Sequence, residues 1–522
     1  MKKVYIYIMF SLLATALQAQ DGFGTYLRNV IQTQEKGILV YAKLIEACGL
    51  CDSLDLIRDE VYEQRYQKGQ IEESYFSNNA YATFYTPEHR KFGYTLFAET
   101  DDFWENALGK DYKAVTASDV AAYILQNCYF TKNYNNNEDY SNPENALYQF
   151  VTYHLLNRRL TPDRLVNHYN EKGYNPRTSK LSVAVCEYYT TMGDRRLLRT
   201  FESAESQGVC LNRFPVLDDS RQGTYHELSC DPDKTGILVG EPSANLINAI
   251  IYPINQLLAF DEVTAHNMGS IRLRMDVASI FPEMANNDIR LSELKNERHK
   301  NVYLPCDQYQ YPYLDDLTVN NRDTYICYWT GRDNGWQNMQ GDEFCITGLS
   351  DFTLRLPPVP DKGTYELRLA QQTGGNSRGI CQFYFGTDPD NLSPLGLPID
   401  LRQSGDNSLH SGNGNIPSNI GYVADTKDEY SDQMTDNELH ENGFMKGCNQ
   451  YCAGGPGASS MMRASNICLR RILGKMTMDP DQTYYLRIKS VLDYYNKTFY
   501  MDYIELCPES VYDNPEKPED IW

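Results

Sequence analysis

The sequence lacks a second long apolar run after its first 20 residues, so the rest of the chain predicts no membrane-spanning helix, which needs about 20 apolar residues. It is also poor in positive charge, since 48 Lys and Arg stand against 70 Asp and Glu and give a formal charge of −22. Nucleic acids and anionic membrane surfaces select basic patches, so this balance argues against both as partners. With 14 cysteines in 522 residues, a fold built mainly on disulfides is excluded as well.

The motifs of common catalytic and metal centres are missing too. The sequence contains no Gly-x-Ser-x-Gly elbow and no phosphate-binding P-loop, and none of its 8 histidines has the spacing of a metal-ligand pair. Cys48-x-x-Cys51 lies in a helical pattern without a second pair at ligand spacing. We therefore predict no cofactor. Calcium could bind carboxylates at Asp388–Asn391 or Asp425–Asp436, but a solvated acidic loop is the favoured interpretation of both stretches.

The first residues have the layout of a secretory signal peptide. Lys2 and Lys3 precede the apolar run Val4–Leu13, and small residues follow it. Cleavage after Ala19 is favoured over cleavage after Ala16, and an uncleaved anchor is the alternative. We therefore expect an exported protein, periplasmic or associated with the cell surface and outer membrane, without a transmembrane segment in the mature chain. Export permits disulfides, and the two cysteines of a Gly-rich loop, Cys448 and Cys452, are the best candidate pair.

Hydrophobic periodicity divides the remaining chain into two modules. Residues 22–266 combine helices with a strand over residues 92–98, and Thr116-x-x-Asp119 predicts a capped helix start. Residues 267–300 are expected to be a helical connector. Residues 301–508 alternate as strands do, with Tyr365, Leu367 and Leu369 on one face, and predict a β-sandwich with a long loop over residues 403–463. Residues 509–522 are predicted to be a mobile acidic tail.

Three segments in the first module resemble the fasciclin (FAS1) domain. Gly93–Phe103 resembles its first signature, although Glu99 stands where proline is usual; Leu147–Leu165 resembles the second signature, and Asn245–Leu258 the closing strand. The resemblance implies an α+β FAS1-like domain. It also implies that four residues are structural rather than catalytic: Thr100, Asp101, Tyr153 and His154. Asp101 is expected to cap the helix that follows it, and the ring of His154 to bond backbone beneath the second signature.

The second module is similar to the galactose-binding-like jelly rolls of Bacteroidetes cell-envelope proteins. Tyr484–Ile488 and Met501–Pro508 resemble their last strands. This resemblance implies an all-β jelly-roll sandwich and, with the predicted signal peptide, a protein of the Bacteroidetes envelope.

An aromatic, polar segment of the second module predicts a ligand site. Sugar rings have apolar faces that stack on indole and phenol rings, while charged and amide side chains bond their hydroxyls. The predicted binding residues are Trp329, Arg332, Asp333 and Trp336. The alternative is that Trp329 belongs to the core and Trp336 seals the loop.

These features favour a non-catalytic adhesion or binding protein that recognises a glycan or a protein partner at the cell envelope. It could serve as an accessory subunit of an outer-membrane nutrient-uptake complex built on a TonB-dependent transporter. The alternative from another class is a carboxylate-dependent glycan hydrolase or lyase, which would place two carboxyl groups about 5–9.5 Å apart in one cleft. A purely structural surface protein would instead scatter its exposed aromatic residues rather than gather them on one face.

Overall fold

The computed structural model describes residues 22–78, 81–167, 185–203, 205–217, 227–290, 301–306, 312–330, 338–339, 342–372, 378–405, 420–426, 428–448, 462–491 and 498–521. The predicted signal peptide lies outside these residues, and so does Cys452 of the predicted disulfide. Within the described ranges, thirteen cysteines are present and none of them forms a disulfide. None of the helices that the structure describes is both long and apolar enough to cross a membrane.

The helices are concentrated in the first third of the chain, where apolar residues recur at helical spacing. They are α1 Phe23–Thr33, α2 Leu39–Ala47, α3 Cys51–Leu54, α4 Glu60–Gln67, α5 Asp101–Leu108, α6 Ala117–Asn127, α7 Ala146–Tyr153, α8 Glu262–Gly269, α9 Val277–Ile280, α10 Pro282–Asn286, α11 Glu429–Glu441 and α12 Glu509–Tyr512. The predicted start of α6 is confirmed, because Thr116 and Asp119 form a reciprocal capping box.

Most of the strands lie after residue 184, where β-branched and aromatic residues alternate with polar ones. They are β1 Ser74–Ser77, β2 Ala82–Tyr85, β3 Tyr94–Glu99, β4 Leu155–Leu156, β5 Val185–Thr190, β6 Leu197–Ser203, β7 Gly208–Leu211, β8 Val216–Leu217, β9 Glu227–Ser229, β10 Ile237–Leu238, β11 Ala244–Asn245, β12 Ala249–Ile254, β13 Leu273–Asp276, β14 Val302–Leu304, β15 Leu317–Val319, β16 Thr324–Thr330, β17 Asp342–Gly348, β18 Asp351–Arg355, β19 Gly363–Gln372, β20 Ile380–Gly386, β21 Ser393–Pro394, β22 Ile399–Asp400, β23 Phe444–Lys446, β24 Cys468–Met478, β25 Tyr485–Ser490, β26 Phe499–Met501 and β27 Tyr503–Pro508.

These strands form separate sheets, and the protein is a mixed α/β structure rich in β-sheet. Two sheets belong to the first half, in the orders β11-β12-β3-β4 and β10-β7-β6-β5, and the ribbon β8-β9 lies between β7 and β10 in sequence. Three larger sheets have the orders β1-β2-β14-β16-β17-β26, β13-β27-β19-β24-β23 and β15-β18-β25-β20-β21, with β22 also on β20. Their inward faces share one apolar core that includes Tyr328, Leu367 and Ile488. The helices pack on β3 and β12 around Trp104.

Long-range pairing crosses the two halves of the sequence. The hairpin β1–β2 extends a sheet whose other strands come from residues 302–501, because Tyr85 of β2 pairs in parallel with Val302. Strand β13 lies within the expected helical connector and pairs antiparallel with β27, Leu273 opposite Leu506. Its buried residues Leu273 and Met275 are two positions apart, which is strand spacing, so the connector is not wholly helical.

Two expectations about loops also differ from the structure. The stretch 403–463, predicted to be a loop, contains helix α11, whose first turn is capped by the side chain of Asp428. The acidic tail, predicted to be mobile, begins with α12 and then lies against the protein, with Glu519 and Asp520 in ion pairs to Arg272. Local composition could not predict this contact, because Arg272 lies 247 residues before Glu519 in the chain.

Candidate functional site

The first signature segment forms hydrogen bonds at the starts of two helices, α5 and α2. Thr100 caps α5 by accepting a hydrogen bond from the backbone N–H of Phe103 at 3.3 Å. The prediction that Asp101 caps the helix that follows it is wrong, although the residue is fully buried. Its carboxylate accepts hydrogen bonds from the backbone N–H groups of Leu39 at 3.0 Å and Val40 at 2.8 Å, at the start of α2. The negative charge therefore lies at a helix N-terminus, but of a different helix.

The second signature residues are buried in polar contacts. His154 donates from Nδ1 to the carbonyl of Phe150 at 2.7 Å, and its Nε2 lies 2.9 Å from Oε1 of Glu99. Tyr153 donates its hydroxyl to the carbonyl of Leu197 at 3.1 Å. Glu99 is therefore the partner of the histidine, at the position where proline is usual.

The aromatic site predicted from sequence is described only at Trp329, since Arg332, Asp333 and Trp336 lie outside the described residues. Trp329 is partly buried on β16 and packs in a cluster on one face of the sheet β1-β2-β14-β16-β17-β26. Tyr75 and Tyr325 stack there with ring centroids 3.9 Å apart, and Tyr303 lies 6.0 Å from Tyr325. We call these four rings, Tyr75, Tyr303, Tyr325 and Trp329, the aromatic face.

The hairpin β1–β2 also carries exposed rings that do not belong to the aromatic face. Tyr81 lies in the turn of the hairpin, is 86% exposed, and has a left-handed backbone with φ of 47°. Bulky residues rarely adopt this conformation, and strained residues cluster at functional sites. Phe76 and Tyr85 are exposed on the opposite side of the hairpin from Tyr75, because neighbouring residues of a strand point to opposite faces.

Sequence reasoning identified one ring of this cluster and missed three. The two-residue period of β16 places Tyr325 on the same face as Trp329, so this neighbour was within reach of a sequence argument. Tyr75 could not have been found in that way. It reaches the face only because β2 pairs with β14, some 220 residues further along the chain.

A separate concave region contains two carboxylates of the kind that a hydrolase would need. It is a cavity of about 520 Å³ whose lining includes Glu187 and Asp276. Nη2 of Arg290 lies 2.8 Å from Oε1 of Glu187 and 3.7 Å from Oδ2 of Asp276. The guanidinium therefore bridges the two carboxylates. Oδ1 of Asp276 is also engaged, because it accepts the N–H of Ala278 at the start of α9.

A third carboxylate lies beside this pair. Asp342 is buried and accepts a hydrogen bond from the hydroxyl of Tyr328. Burial raises the pKa of Asp342 to about 6, although the charge of Arg290 acts in the opposite direction. Burial and the charge of Asp342 raise the pKa of Asp276 as well. Buried carboxylates near one cation have shifted pKa values in structural networks as well as in active sites.

The raised pKa of Asp342 makes a testable prediction about pH. A carboxyl whose pKa is higher in the folded than in the unfolded protein stabilises the fold below the unfolded pKa, and that contribution is lost as pH rises through about 6. We expect the wild-type free energy of unfolding to fall between pH 4.5 and pH 7.0, and Asp342→Asn to reduce this fall by about 2 kcal/mol. Urea titrations at both pH values measure it. Asp233→Asn, at an exposed position, is the control and should leave the fall unchanged.

The acidic stretch Asp425–Asp436 is engaged by side-chain cations. Nζ of Lys446 lies 2.6 Å from Asp425 and 2.8 Å from Asp436, and Nε of Arg463 lies 2.6 Å from Asp425. Arg463 also forms an ion pair with Asp436. A calcium ion would have to displace both cations from these carboxylates.

No protein-family model matches the chain, and no curated protein matches it. Among solved structures, the chain is similar to the functional form of the mosquito-larvicidal Cry4Aa toxin from Bacillus thuringiensis, with a TM-score of 0.20 and 10% sequence identity. The match covers 62% of this chain and 39% of the toxin chain. A likeness at this TM-score carries no argument about fold or function.

Proposed function

We propose that this protein is a non-catalytic binding protein of the cell envelope whose ligand is a glycan bound at the aromatic face. The observation that carries the proposal is the gathering of Tyr75, Tyr303, Tyr325 and Trp329 on one face of a single sheet. Tyr303 is buried, and the other three rings are partly exposed on that face, whereas a purely structural surface protein would scatter its exposed rings. Phenol and indole rings offer a flat apolar surface with a polar edge, which suits a sugar that has an apolar face and hydroxyls at its rim.

The test is binding of purified mature protein to a glycan array, followed by calorimetry with the polysaccharide that binds. Tyr325→Ala and Trp329→Ala should each weaken binding by about tenfold, which is the loss of about 1.4 kcal/mol expected for one ring contact. Trp329→Phe keeps an aromatic ring and should retain most of the affinity.

Tyr129→Ala is the matched control, because Tyr129 is 73% exposed and lies outside the aromatic cluster. It should bind as the wild type does. Thermal melts of all four variants separate a lost contact from a lost fold, since Trp329 and Tyr325 are partly buried. A blank array, together with a stoichiometric protein retained in a pull-down from envelope extract, would overturn the glycan ligand in favour of a protein ligand.

One observation favours a second candidate, a carboxylate-dependent glycan hydrolase, because Glu187 and Asp276 line one cavity. We favour binding over hydrolysis because Arg290 occupies the position between the two carboxylates, where a hydrolase would hold the scissile bond. Hydrolysis of an array-positive polysaccharide by the wild type, lost in Glu187→Gln, would establish the enzyme instead.

The proposal also includes a fold for each of the two modules. A FAS1-like fold for residues 22–266 is supported by the parallel pairing of β3, the first signature strand, with β12, the closing one. A jelly-roll fold for residues 301–508 is supported by the antiparallel sheets that enclose the main core. In this setting the protein would act as an accessory subunit of an outer-membrane uptake complex. Co-purification with a TonB-dependent transporter is the expected result, and a wholly periplasmic pool without that partner would contradict it.

A further inference from the structure

The sheet β13-β27-β19-β24 carries a dense set of arginines on one face, in a protein whose net charge is −22. Arg274, Glu505 and Arg368 lie directly opposite one another on three adjacent strands. Nε of Arg274 lies 2.7 Å from Glu505, and Nη1 of Arg470 lies 3.0 Å from it. The buried Glu505 therefore lies at the centre of the arginines of this face.

The acidic tail lies over these arginines. Arg368 donates two hydrogen bonds to the carboxylate of Glu519, at 2.6 and 2.8 Å. Arg272 donates to Glu519 at 2.6 Å, to the side chain of Asp520 at 2.6 Å, and to the backbone carbonyl of Asp520 at 3.2 Å. The arginines therefore contact both the side chains and the backbone of the segment, which is the way in which a peptide is recognised.

The tail occupies only the middle of a wider groove. The cavity of about 520 Å³ that Glu187 and Asp276 line lies on one side of the tail, and a cavity of about 570 Å³ lies on the other. The tail residues Pro518, Glu519 and Asp520 line both cavities. After α12 the tail has no helix or strand up to residue 521, and Pro515 and Pro518 favour an extended chain. Lifting the segment would join the cavities into one trough with Arg272 and Arg368 in its floor.

We propose that this trough is a binding site for an acidic, extended peptide segment of a protein partner, and that residues 513–521 are its tethered occupant. Four arginines on the sheet, Arg272, Arg274, Arg368 and Arg470, contact the glutamates Glu366 and Glu505, and the tail carboxylates supply the remaining negative charge. An incoming peptide must supply the same two carboxylates to replace the tail. The site is separate from the aromatic face and does not depend on the glycan proposal.

The test uses the full chain and a fluorescein-labelled peptide that copies residues 509–521, with binding followed by fluorescence anisotropy. The variant Glu519→Gln/Asp520→Asn loosens the tethered segment and should bind the peptide at least tenfold more tightly than the wild type, because the wild-type tail competes at an effective concentration of about millimolar. Adding Arg368→Gln to this variant should remove at least nine-tenths of the binding. A peptide with Gln and Asn at the two acidic positions is the matched control and should not bind.

Two results with a folded variant would overturn the proposal. The first is a folded Glu519→Gln/Asp520→Asn variant, with a wild-type melting curve, that does not bind the peptide. The second is displacement of the bound peptide by polygalacturonate at a lower concentration than by unlabelled peptide, which would assign the trough to an acidic glycan. If the variant does not fold, hydrogen exchange of the wild type decides. If the amides of residues 513–521 exchange at least a hundredfold faster than those of β19, the segment is displaceable. If they exchange at the same rate as those of β19, the segment is fixed and the proposal is overturned.

Discussion

Replacing Glu505 by glutamine is expected to destabilise the protein by about 3–5 kcal/mol, the cost of leaving buried charges without their partner. Glu505 is fully buried and lies within ion-pair distance of four arginines: Arg272, Arg274, Arg368 and Arg470. Burial alone would raise its pKa. The arginines outweigh burial, Arg470 and Arg274 most strongly, and hold the pKa of Glu505 well below its usual range. Urea unfolding at pH 7 measures the loss.

Glu441→Gln is the control for this variant, because Glu441 is exposed on α11 and a change there should stay within about 0.5 kcal/mol. The sign of the pH dependence gives a second check. The stability supplied by an ionised carboxylate with a lowered pKa is present above the unfolded pKa, about 4.3, and is lost only as pH falls below it. The difference between wild type and Glu505→Gln should therefore persist at pH 6. A loss under 1 kcal/mol would mean that the arginines find other partners.

Asp101→Ala is expected to cost about 3 kcal/mol, since three buried or partly buried backbone N–H groups lose their acceptor at once. These donors belong to Gly37, Leu39 and Val40, at 2.7, 3.0 and 2.8 Å from the carboxylate. Ile38, the N-cap residue of α2, has an apolar side chain, which cannot accept the hydrogen bonds that the carboxylate of Asp101 accepts. Thermal unfolding followed by far-ultraviolet circular dichroism should show a lower melting temperature for this variant.

Asp102→Ala is the neighbouring control, because its side chain is 73% exposed and forms an ion pair with Lys36. Exposed ion pairs contribute about 0–1 kcal/mol. Asp101→Asn retains one acceptor oxygen and should fall between the two alanine variants. Equal melting temperatures for the two alanine variants would contradict the role of Asp101 as the distant cap of α2.

Local sequence patterns were sufficient for elements whose stability is local. The alternation around Leu367 predicted a strand, and β19 forms there; Thr116 and Asp119 predicted a helix start, and α6 begins there. Such patterns fail where a residue's partner is distant. Asp101 was assigned to the helix beside it because the N-cap preference is local, whereas its acceptor oxygens are used by a helix about 60 residues earlier. Helix α11 was missed because its Gly- and Asn-rich surroundings outweighed one capping residue.

The sequence by itself determined the charge balance and the absence of the common catalytic motifs, which follow from composition and from short motifs. It also determined the capped start of α6 and the alternating strands of the second half, because each of these depends on residues within one turn or one strand. The tertiary structure alone decided which rings form the aromatic face, which carboxylates meet Arg290, and where the acidic tail docks. Many of these contacts join distant residues: Arg290 and Glu187 are 103 positions apart, Arg272 and Glu519 are 247 apart, and Thr347 and Tyr75 are 272 apart. They exist because strand pairing and burial bring distant side chains together, and no local pattern specifies that pairing.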